Sequence, residues 1–570
     1  MQSEWRVYAK RADFKAIGEA FHIDQVTARI LVNRGITTKE AIEEYLNGDL
    51  NSLHSPELIY GMNEAVEIIR NKIAQGKKIR IVGDYDVDGI CSTTILYKCL
   101  SRKGADVSYI VPDRIIDGYG INERLVQDAL NDGVDTILTC DNGIAAVKPV
   151  AFAKEHGMTV IVTDHHEIPF QEANGKKTYI YPDADVIVNV HQEKDSYPFK
   201  DLCGAGVALK LATALGISED EVKEYAELVG IASVCDVVAL KGENRILVKY
   251  ALKSLPTTVN TGLQALQEAT GLSEKEKGLT AFDFGFVIGP SLNATGRLDS
   301  AMEGISLLLE TDYKKAQAKA LEIRAINEER KQMTEDEKNK ALEMVENSSI
   351  KDDHVLVVLL PECHQSLAGI VAGRLKEEYY RPTLVLTLNG DIAKGSGRSI
   401  EAYDMFEKLS ECKELFTAFG GHKMAAGFSL KKENVDALRE ALNKRDGLTE
   451  KDMTPVRWID VPMPLDYATI SLVEEINALE PFGAENEKPT FADRNLLVRE
   501  SRIVGKNRNV CRLRLETSAG FLKTAVMFGA DTKEVPVSGS KISMLYYPNI
   551  NEYMGNSSVE FIVKEFRTQS

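Results

Sequence analysis

The sequence has no paired cysteines, no long apolar run and no surplus of positive charge. Its eight cysteines (Cys91, Cys99, Cys140, Cys203, Cys235, Cys363, Cys412, Cys511) are scattered without any CxxC pair. That excludes a zinc ribbon, argues against a disulfide framework and suits a reducing compartment. No stretch approaches the ~18 apolar residues of a membrane span. The opening MQSEWRVYAKRADFKAIGEAF lacks the continuous apolar region of a signal peptide. The expectation is a cytoplasmic protein with no membrane partner. Lys plus Arg number 69 against 86 Asp plus Glu, a net charge of −17. A passive nucleic-acid binder normally carries a positive balance. An enzyme whose bound divalent ions supply a local positive field needs none. Internal repeats and low-complexity segments are also absent.

What is there is long and ordinary in composition. A chain of 570 residues, 44% hydrophobic and 27% charged, exceeds one hydrophobic core and implies about three or four domains. Residues 1–75 read as short helices, with Thr38 as a cap. From Lys78, β-branched runs such as KIRIV, TILTC and VIVT alternate with helical stretches, so 76–310 is expected to be a parallel α/β domain. Residues 314–347 lack Gly and Pro, and Ala316, Ala320, Ile323, Ile326 and Met333 form a helical stripe among charges. This predicts a long solvated connecting helix within 311–350. A second α/β unit with Gly-rich turns is expected over 351–450. The alternating runs of 451–570 predict a small OB-like β-barrel.

Three features stand at equivalent places in the first α/β unit. GDYDVDG (Asp84, Asp86, Asp88) follows one strand, DNG (Asp141) another, and DHH (Asp164, His165, His166) a third. Right-handed crossovers put all such turns on one edge of the sheet, where open α/β sheets bind ligands. So many carboxylates in one cleft cannot all ionise unaided. Divalent cations resolve the conflict, and an oxygen and imidazole donor set suits Mn²⁺ or Mg²⁺ better than structural Zn²⁺. Asp141 can bridge two ions about 3.5–4 Å apart, the arrangement of two-metal phosphatases and nucleases. DxDxDG alone also reads as a calcium loop or polar turn, but an EF-hand needs Glu where Ile95 stands. Asp141 before Asn-Gly alone reads as an Asx turn. The adjacent His165 and His166, in a chain with nine His, are the hardest to dismiss.

GDYDVDGICS, TCDNGI, TDHH and IASVCDVVAL resemble the four motifs of the DHH phosphoesterases. PDRIIDGYG, LCGAGVALK, NATGRLDSA, CHQSLAGIVAGRL, GSGRSI, FGGHKMAAGF and LEPFGAEN extend the likeness, in order, to their single-strand exonuclease branch from about residue 5 to 567. The resemblance implies Asp86, Asp88, Asp141, His165 and Asp236 as metal ligands, with Asp84 in direct contact or just behind. Asp236 rests on the resemblance alone. His166 would contact the scissile phosphate or protonate the leaving oxygen, and Asp164 would orient the imidazoles. The 351–450 unit becomes the DHH-associated domain. There Ser396 and Arg398, with Arg114 and Arg297 from the first unit, would hold a 5′-terminal phosphate. His422 and Lys423 stand in a second Gly-rich turn and complete the candidate nucleic-acid contacts. The implied activity is 5′→3′ hydrolysis of single-stranded DNA to mononucleotides in recombination and repair, by a monomer served by a helicase and a single-strand-binding protein. The chain departs from the pattern at Ser291 (usually Arg), Cys363 (usually Trp), Ser366-Leu367, Glu485 and Glu487. It ends soon after the barrel, so no further C-terminal domain is expected.

Seven basic residues (Arg494, Arg499, Arg502, Lys506, Arg508, Arg512, Arg514) crowd the start of the barrel, opposed by Asp493 and Glu500. With Phe491, Phe521, Tyr546 and Tyr547 nearby, they predict a groove that guides a single strand and stacks its bases. The same pattern also reads as a solvated face over core aromatics. A narrow route between barrel and cleft would exclude duplex by size. Two other functions fit parts of the sequence. One is a DHH phosphoesterase for short oligoribonucleotides, cyclic dinucleotides or pyrophosphate, against which length and barrel speak. The other is an inactive DHH scaffold, against which the intact acidic and histidine residues speak.

Overall fold

The computed structural model describes residues 3–173, 176–530, 534–553 and 555–569. They form two compact units, one drawn from 53–238 and 246–455, the other from 1–52, 239–245 and 456–570. The 1–75 segment is therefore divided: the helices before residue 53 belong with the barrel, and helix Met62–Ala74 belongs with the first unit.

In the first unit the β-branched runs become strands Ile79–Val82, Val107–Ile110, Thr136–Cys140, Thr159–Thr163 and Val186–Val188. Ile79–Val82 and Thr136–Cys140 are buried throughout, as a parallel sheet covered on both faces requires. All neighbours are parallel, and the spatial order is 107–110, 79–82, 136–140, 159–163, 186–188. The order of winding reverses between the 79–82 and 136–140 strands. Crossovers leave in opposite directions there and open a crevice at the strands' carboxyl ends. GDYDVDG and DNG occupy that crevice.

The expected long helix is Tyr313–Glu346, 34 residues and about 50 Å at 1.5 Å per residue. It is not solvated all round. Ala316, Ala320, Ile323, Asn327, Thr334, Ala341 and Val345 are buried along one side, while Ile326 and Met333 are half-buried. Small and polar residues take part because the helix packs closely on its neighbours. Beyond it lies a five-stranded sheet in the order Phe416–His422, Ala425–Lys431, Ile392–Arg398, Thr383–Asn389, Leu356–Leu359. Only its last pair is parallel. GSGR is not a turn, as the sequence had implied, but the end of strand Ile392–Arg398. Its glycine is needed for packing: a Cβ on Gly395 would meet the Phe428 ring at 2.4 Å.

In the second unit five strands close a barrel: Phe491–Val504, Val510–Glu516, Leu522–Phe528, Lys541–Tyr553 and Asn556–Thr568. The first pairs with the second and fourth, the fifth with the third (parallel) and fourth. This is OB topology. Cys511, Leu513 and Leu515 point inward while Arg512 and Arg514 are exposed. Thr38 caps helix Lys39–Asn47 as expected, accepting from Ala41 N at 3.1 Å. That helix and Gln25–Asn33 exist to be buried: Ile30, Leu31, Ile42 and Tyr45 share one core with Phe491, Leu513, Tyr546 and Phe561. The expected base-stacking role fails for Phe491, Tyr546 and Tyr547, which are at most 2% exposed; of the four aromatics only Phe521 (61%) faces solvent.

Truncating Ile30 to Ala should cost about 2–5 kcal/mol, the usual range for a fully buried large aliphatic, read as a lowered urea midpoint. A loss below about 0.5 kcal/mol, within the range of surface changes, would show that this helix is not part of the barrel's core.

Candidate active site

Each acidic turn is shaped by the strand or helix it joins. Asp86 caps helix Val87–Arg102, its Oδ1 accepting from Asp88 N at 3.0 Å and Gly89 N at 3.1 Å. A side chain on Gly89 would strike the Asp84 backbone at 2.4 Å, so the turn closes only with glycine there. Asp88 is buried and receives Gly204 N (2.6 Å) and Ala205 N (2.7 Å), the orphan amides at the start of helix Gly204–Ala214. Gly204 also touches Asp141: a Cβ there would lie 2.6 Å from Asp141 Cβ. Asp141 itself has φ +61° and Val237, next to Asp236, also has φ +61°. Left-handed backbone at a non-glycine residue is held only where its surroundings force it. Asp236 is the residue that ends helix Glu219–Cys235.

These turns converge. His165 Nε2 lies 3.1 Å from Asp141, 3.6 Å from Asp88 and 3.7 Å from Asp236. Ligand atoms of Asp84, Asp86 and Asp141 gather within 4.8 Å of one another, as do those of Asp88, His165 and Asp236, and those of Asp141, His165 and His166. Yet among the described residues neither His165 Nε2 nor Asp84 Oδ1 has a hydrogen-bond partner, though both are buried. The donors aim at common points between them rather than at each other. Oxygen and imidazole donors left unsatisfied around such points fit hard divalent cations.

The electrostatics tell the same story. Burial first, and repulsion by neighbouring carboxylates second, push Asp84 and Asp141 well above the usual carboxylate range. The same causes raise Asp86 and bring Asp236 to about 8. Asp164 goes the other way: burial opposes its charge, but hydrogen bonds and the nearby imidazoles hold it down. Its oxygens accept from His166 Nδ1 (2.8 Å), His165 N (2.7 Å), His166 N (3.1 Å) and Ile144 N (2.9 Å). Burial disfavours the His166 imidazolium, but the Asp164 bond and surrounding carboxylates outweigh it and lift His166 to about 9. Tyr119, which the sequence had not singled out, donates to Asp141 O at 2.8 Å and reaches the His166 ring at 3.2–3.3 Å.

A second site adjoins the cluster through Tyr85, which is flanked by Asp84 and Asp86 and carries Arg114 over its ring at 4.6 Å. The cavity there, about 260 Å³, is lined by Tyr85, Arg114, Ser366, Lys394 and Ser396, with no carboxylate in its wall. Burial lowers the Arg297 pKa, and the guanidinium groups of Arg114, Arg330 and Arg398 lower it further. Among the described residues none of these four arginines has a carboxylate within ion-pair distance. Half-buried cations facing one another without counter-charge favour an anion. Lys394, on the strand carrying Ser396, lines the cavity; Arg297, Arg398 and Arg330 of the long helix are not in its wall, but the charges of Arg114, Arg330 and Arg398 act on Arg297. His422 is exposed at the end of strand Phe416–His422 and does not line this cavity, because its hairpin turns its tip to solvent.

The chain matches the DHH family, N-terminal domain, over residues 78–233, the DHHA1 domain over 352–445 and the RecJ OB domain over 459–565. It is 36% identical to the single-stranded-DNA-specific exonuclease RecJ of Bacillus subtilis, over 98% of this chain and 70% of that one. It is 33% identical to the protein of the same name from Haemophilus influenzae, over 91% and 92%. The crystal structure of RecJ from Thermus thermophilus in complex with Mn²⁺ superposes with a TM-score of 0.83 at 27% identity, covering 100% of this chain and 80% of that one.

Metal-free protein should lose stability as pH rises. A carboxyl raised in the folded state to about 8 binds a proton that the unfolded chain has released above about 4. The native state then holds more protons, and unfolding becomes easier across that window. The melting temperature without metal should fall between pH 5 and 8 and flatten when Mn²⁺ is added; a flat metal-free profile would contradict the crowding. The chain belongs to the RecJ family of the DHH phosphoesterases, the single-stranded-DNA-specific exonucleases.

Proposed function

We propose that this protein is a metal-dependent 5′→3′ exonuclease that hydrolyses single-stranded DNA to mononucleotides, in DNA recombination and repair. The observation that carries the proposal is the pairing of a carboxylate–imidazole cluster with a carboxylate-free cavity lined by Arg114, Lys394 and Ser396, joined by Tyr85. Asp84, Asp86, Asp88, Asp141, His165 and Asp236 are the residues that would hold two Mn²⁺ or Mg²⁺ ions, with Asp141 common to two of the ligand groups. When bound, the ions supply a Lewis acid for the phosphoryl oxygens and a lowered pKa for water.

The protein's own residues do the rest. Asp164 fixes the His166 ring so that Nδ1 is a donor, leaving Nε2 to give a proton or hydrogen bond to the leaving oxygen. Tyr119 steadies the same ring from its other side. Arg114, Arg297, Ser396 and Arg398, with Arg330 and Lys394, take the terminal phosphate dianion and so set the cleavage register from the strand end. A free 5′ end is selected because only a terminal phosphate carries the second charge this cavity rewards.

The barrel supplies the preference for single strands. Arg502 stands directly opposite Arg512 across the paired strands, and like charges so placed weaken a sheet. On this exposed face, with Arg508 beside them, they would serve a polyanion, while Arg499 pairs with Glu516 and Arg514 stands opposite Glu500. No helix among the described residues is long and apolar enough to cross a membrane. We infer a cytoplasmic monomer working with a helicase that opens duplex and a single-strand-binding protein that presents the strand.

The test uses end-labelled single-stranded DNA, matching duplex and short RNA, with Mn²⁺ or EDTA. Metal-dependent release of 5′ nucleotides from single strands alone is expected; digestion of short RNA but not long DNA would favour an oligoribonuclease instead. Asp141→Ala should abolish hydrolysis with the circular-dichroism spectrum unchanged. Arg398→Ala should remove about 1.5–3 kcal/mol of charge-assisted hydrogen bonding, roughly ten- to hundredfold in kcat/KM, on 5′-phosphorylated DNA and much less on 5′-hydroxyl DNA. An equal loss on both ends would contradict the assignment of this cavity to the terminal phosphate.

A further inference from the structure

The barrel's unit contains a cavity of about 830 Å³ that takes no part in the chemistry described above. One wall is aromatic. Strand Glu4–Val7 pairs in parallel with Val456–Ile459, and this brings Tyr8 against Trp458, rings 4.7 Å apart and 21° from parallel. Trp458 remains 44% exposed and Phe528, also in the lining, 56%. Such area is costly to leave in water unless something covers it.

The other wall is cationic. Arg34 donates to Tyr45 Oη at 3.1 Å, Lys564 to Thr490 Oγ1 at 2.9 Å, and the Lys488 ammonium lies 3.7 Å from the Tyr547 ring centre. Among the described residues none of the three has a carboxylate within ion-pair distance. The acids nearby do not ion-pair with these cations, though the charge of Asp460 is felt by Arg34 and Lys564 and that of Glu480 by Lys488. Asp460 accepts from Thr490 N at 2.9 Å. Glu565 holds Ser3 Oγ at 2.7–2.8 Å and Trp5 Nε1 at 2.9 Å, and Glu485 pairs with Lys241. Glu487 meets Arg34 through its carbonyl oxygen, at 2.5 Å. The protein packed around its stem, and then Lys488 and Arg457, push the Lys564 ammonium down to about 8 against the pull of Asp460, while the side chain stays open to solvent. A bound anion would relieve that cost.

We propose that this cavity binds a nucleoside 5′-phosphate, with its phosphate on Arg34, Lys488 and Lys564 and its base on the Trp458 wall. A simple inorganic anion would leave the aromatic wall bare, and an apolar ligand would leave the cations unpaired. The volume lies within the range of small-ligand sites. A strand passing over the barrel has a different surface, since Arg502, Arg512 and Arg514 lie on the first two barrel strands, whereas Lys564 is on the last strand and Arg34 follows the N-terminal helix. The nucleotide released by the proposed hydrolysis is a ligand of this class; only the ligand's biological source rests on that reading.

The sequence holds two tryptophans, so Trp5→Phe leaves Trp458 as the sole reporter. In the full-length, Mn²⁺-loaded protein, dAMP should change its fluorescence saturably, while deoxyadenosine and an unphosphorylated oligothymidylate with nuclease-resistant phosphorothioate linkages should not over the same range. Lys564→Met and Lys488→Met should each weaken dAMP at least tenfold, with circular dichroism unchanged, and Arg398→Ala should leave its affinity within twofold. Any of four results would overturn the proposal: no response to dAMP, the same affinity in both lysine variants, loss of the response in Arg398→Ala, or a response only to the oligonucleotide or to an acidic peptide. Exonuclease activity is assayed separately on the same samples. An inactive protein that still binds dAMP would sink the nuclease reading and leave this one standing.

Discussion

The mutual repulsion of buried carboxylates, and its relief by cations, is the constraint on which the first unit is organised. Five aspartates and an imidazole are packed at the carboxyl ends of three parallel strands and at the end of one helix, where water cannot screen them. The fold meets part of the cost itself. The amides of Gly204 and Ala205 neutralise Asp88, and those of Asp88 and Gly89 serve Asp86. It leaves Asp84 Oδ1 and His165 Nε2 without partners, and those unsatisfied atoms mark where the cations belong. The strained backbone of Asp141 and of Val237 beside Asp236 lies at the same place. Stability is given up there to hold ligands in position.

The same logic runs with the opposite sign beside Tyr85, which lies between Asp84 and Asp86. Arginines gathered around Tyr85 repel one another as the aspartates do, and an anion is what they lack. In the proposed reaction the scissile phosphate would meet cations held by carboxylates while the terminal phosphate met the guanidinium groups.

The catalytic centre was largely legible in the sequence because its ligands sit directly after strands, and strands are visible as β-branched runs. That the turns carrying Asp86, Asp88, Asp141 and His165 share one cleft follows from that placement, while the choice of ligands among them came from the likeness to the DHH phosphoesterases. Asp236 has no such placement, since a residue ending a helix has no local signal of function, and only that likeness pointed to it. Tyr119, Arg330, Lys394 and the Gly204 amide were not legible, because their roles arise from tertiary approach. The Gly-rich GSGR was read as a turn from composition, whereas its glycine is required by a ring packed across the sheet. The barrel's tyrosines were misjudged for a related reason. A bulge between Leu545 and Tyr546 breaks the alternation of that strand, so Met544 through Tyr547 are consecutively buried.

The central claim is that two cations share the acidic cluster. Diffraction from Mn²⁺-soaked crystals, measured at the manganese absorption edge, addresses it directly. Two anomalous peaks about 3.5–4 Å apart, with Asp141 between them and His165 against one, are the expected result. A single peak, or peaks away from Asp84, Asp86, Asp88, Asp141, His165 and Asp236, would contradict the account.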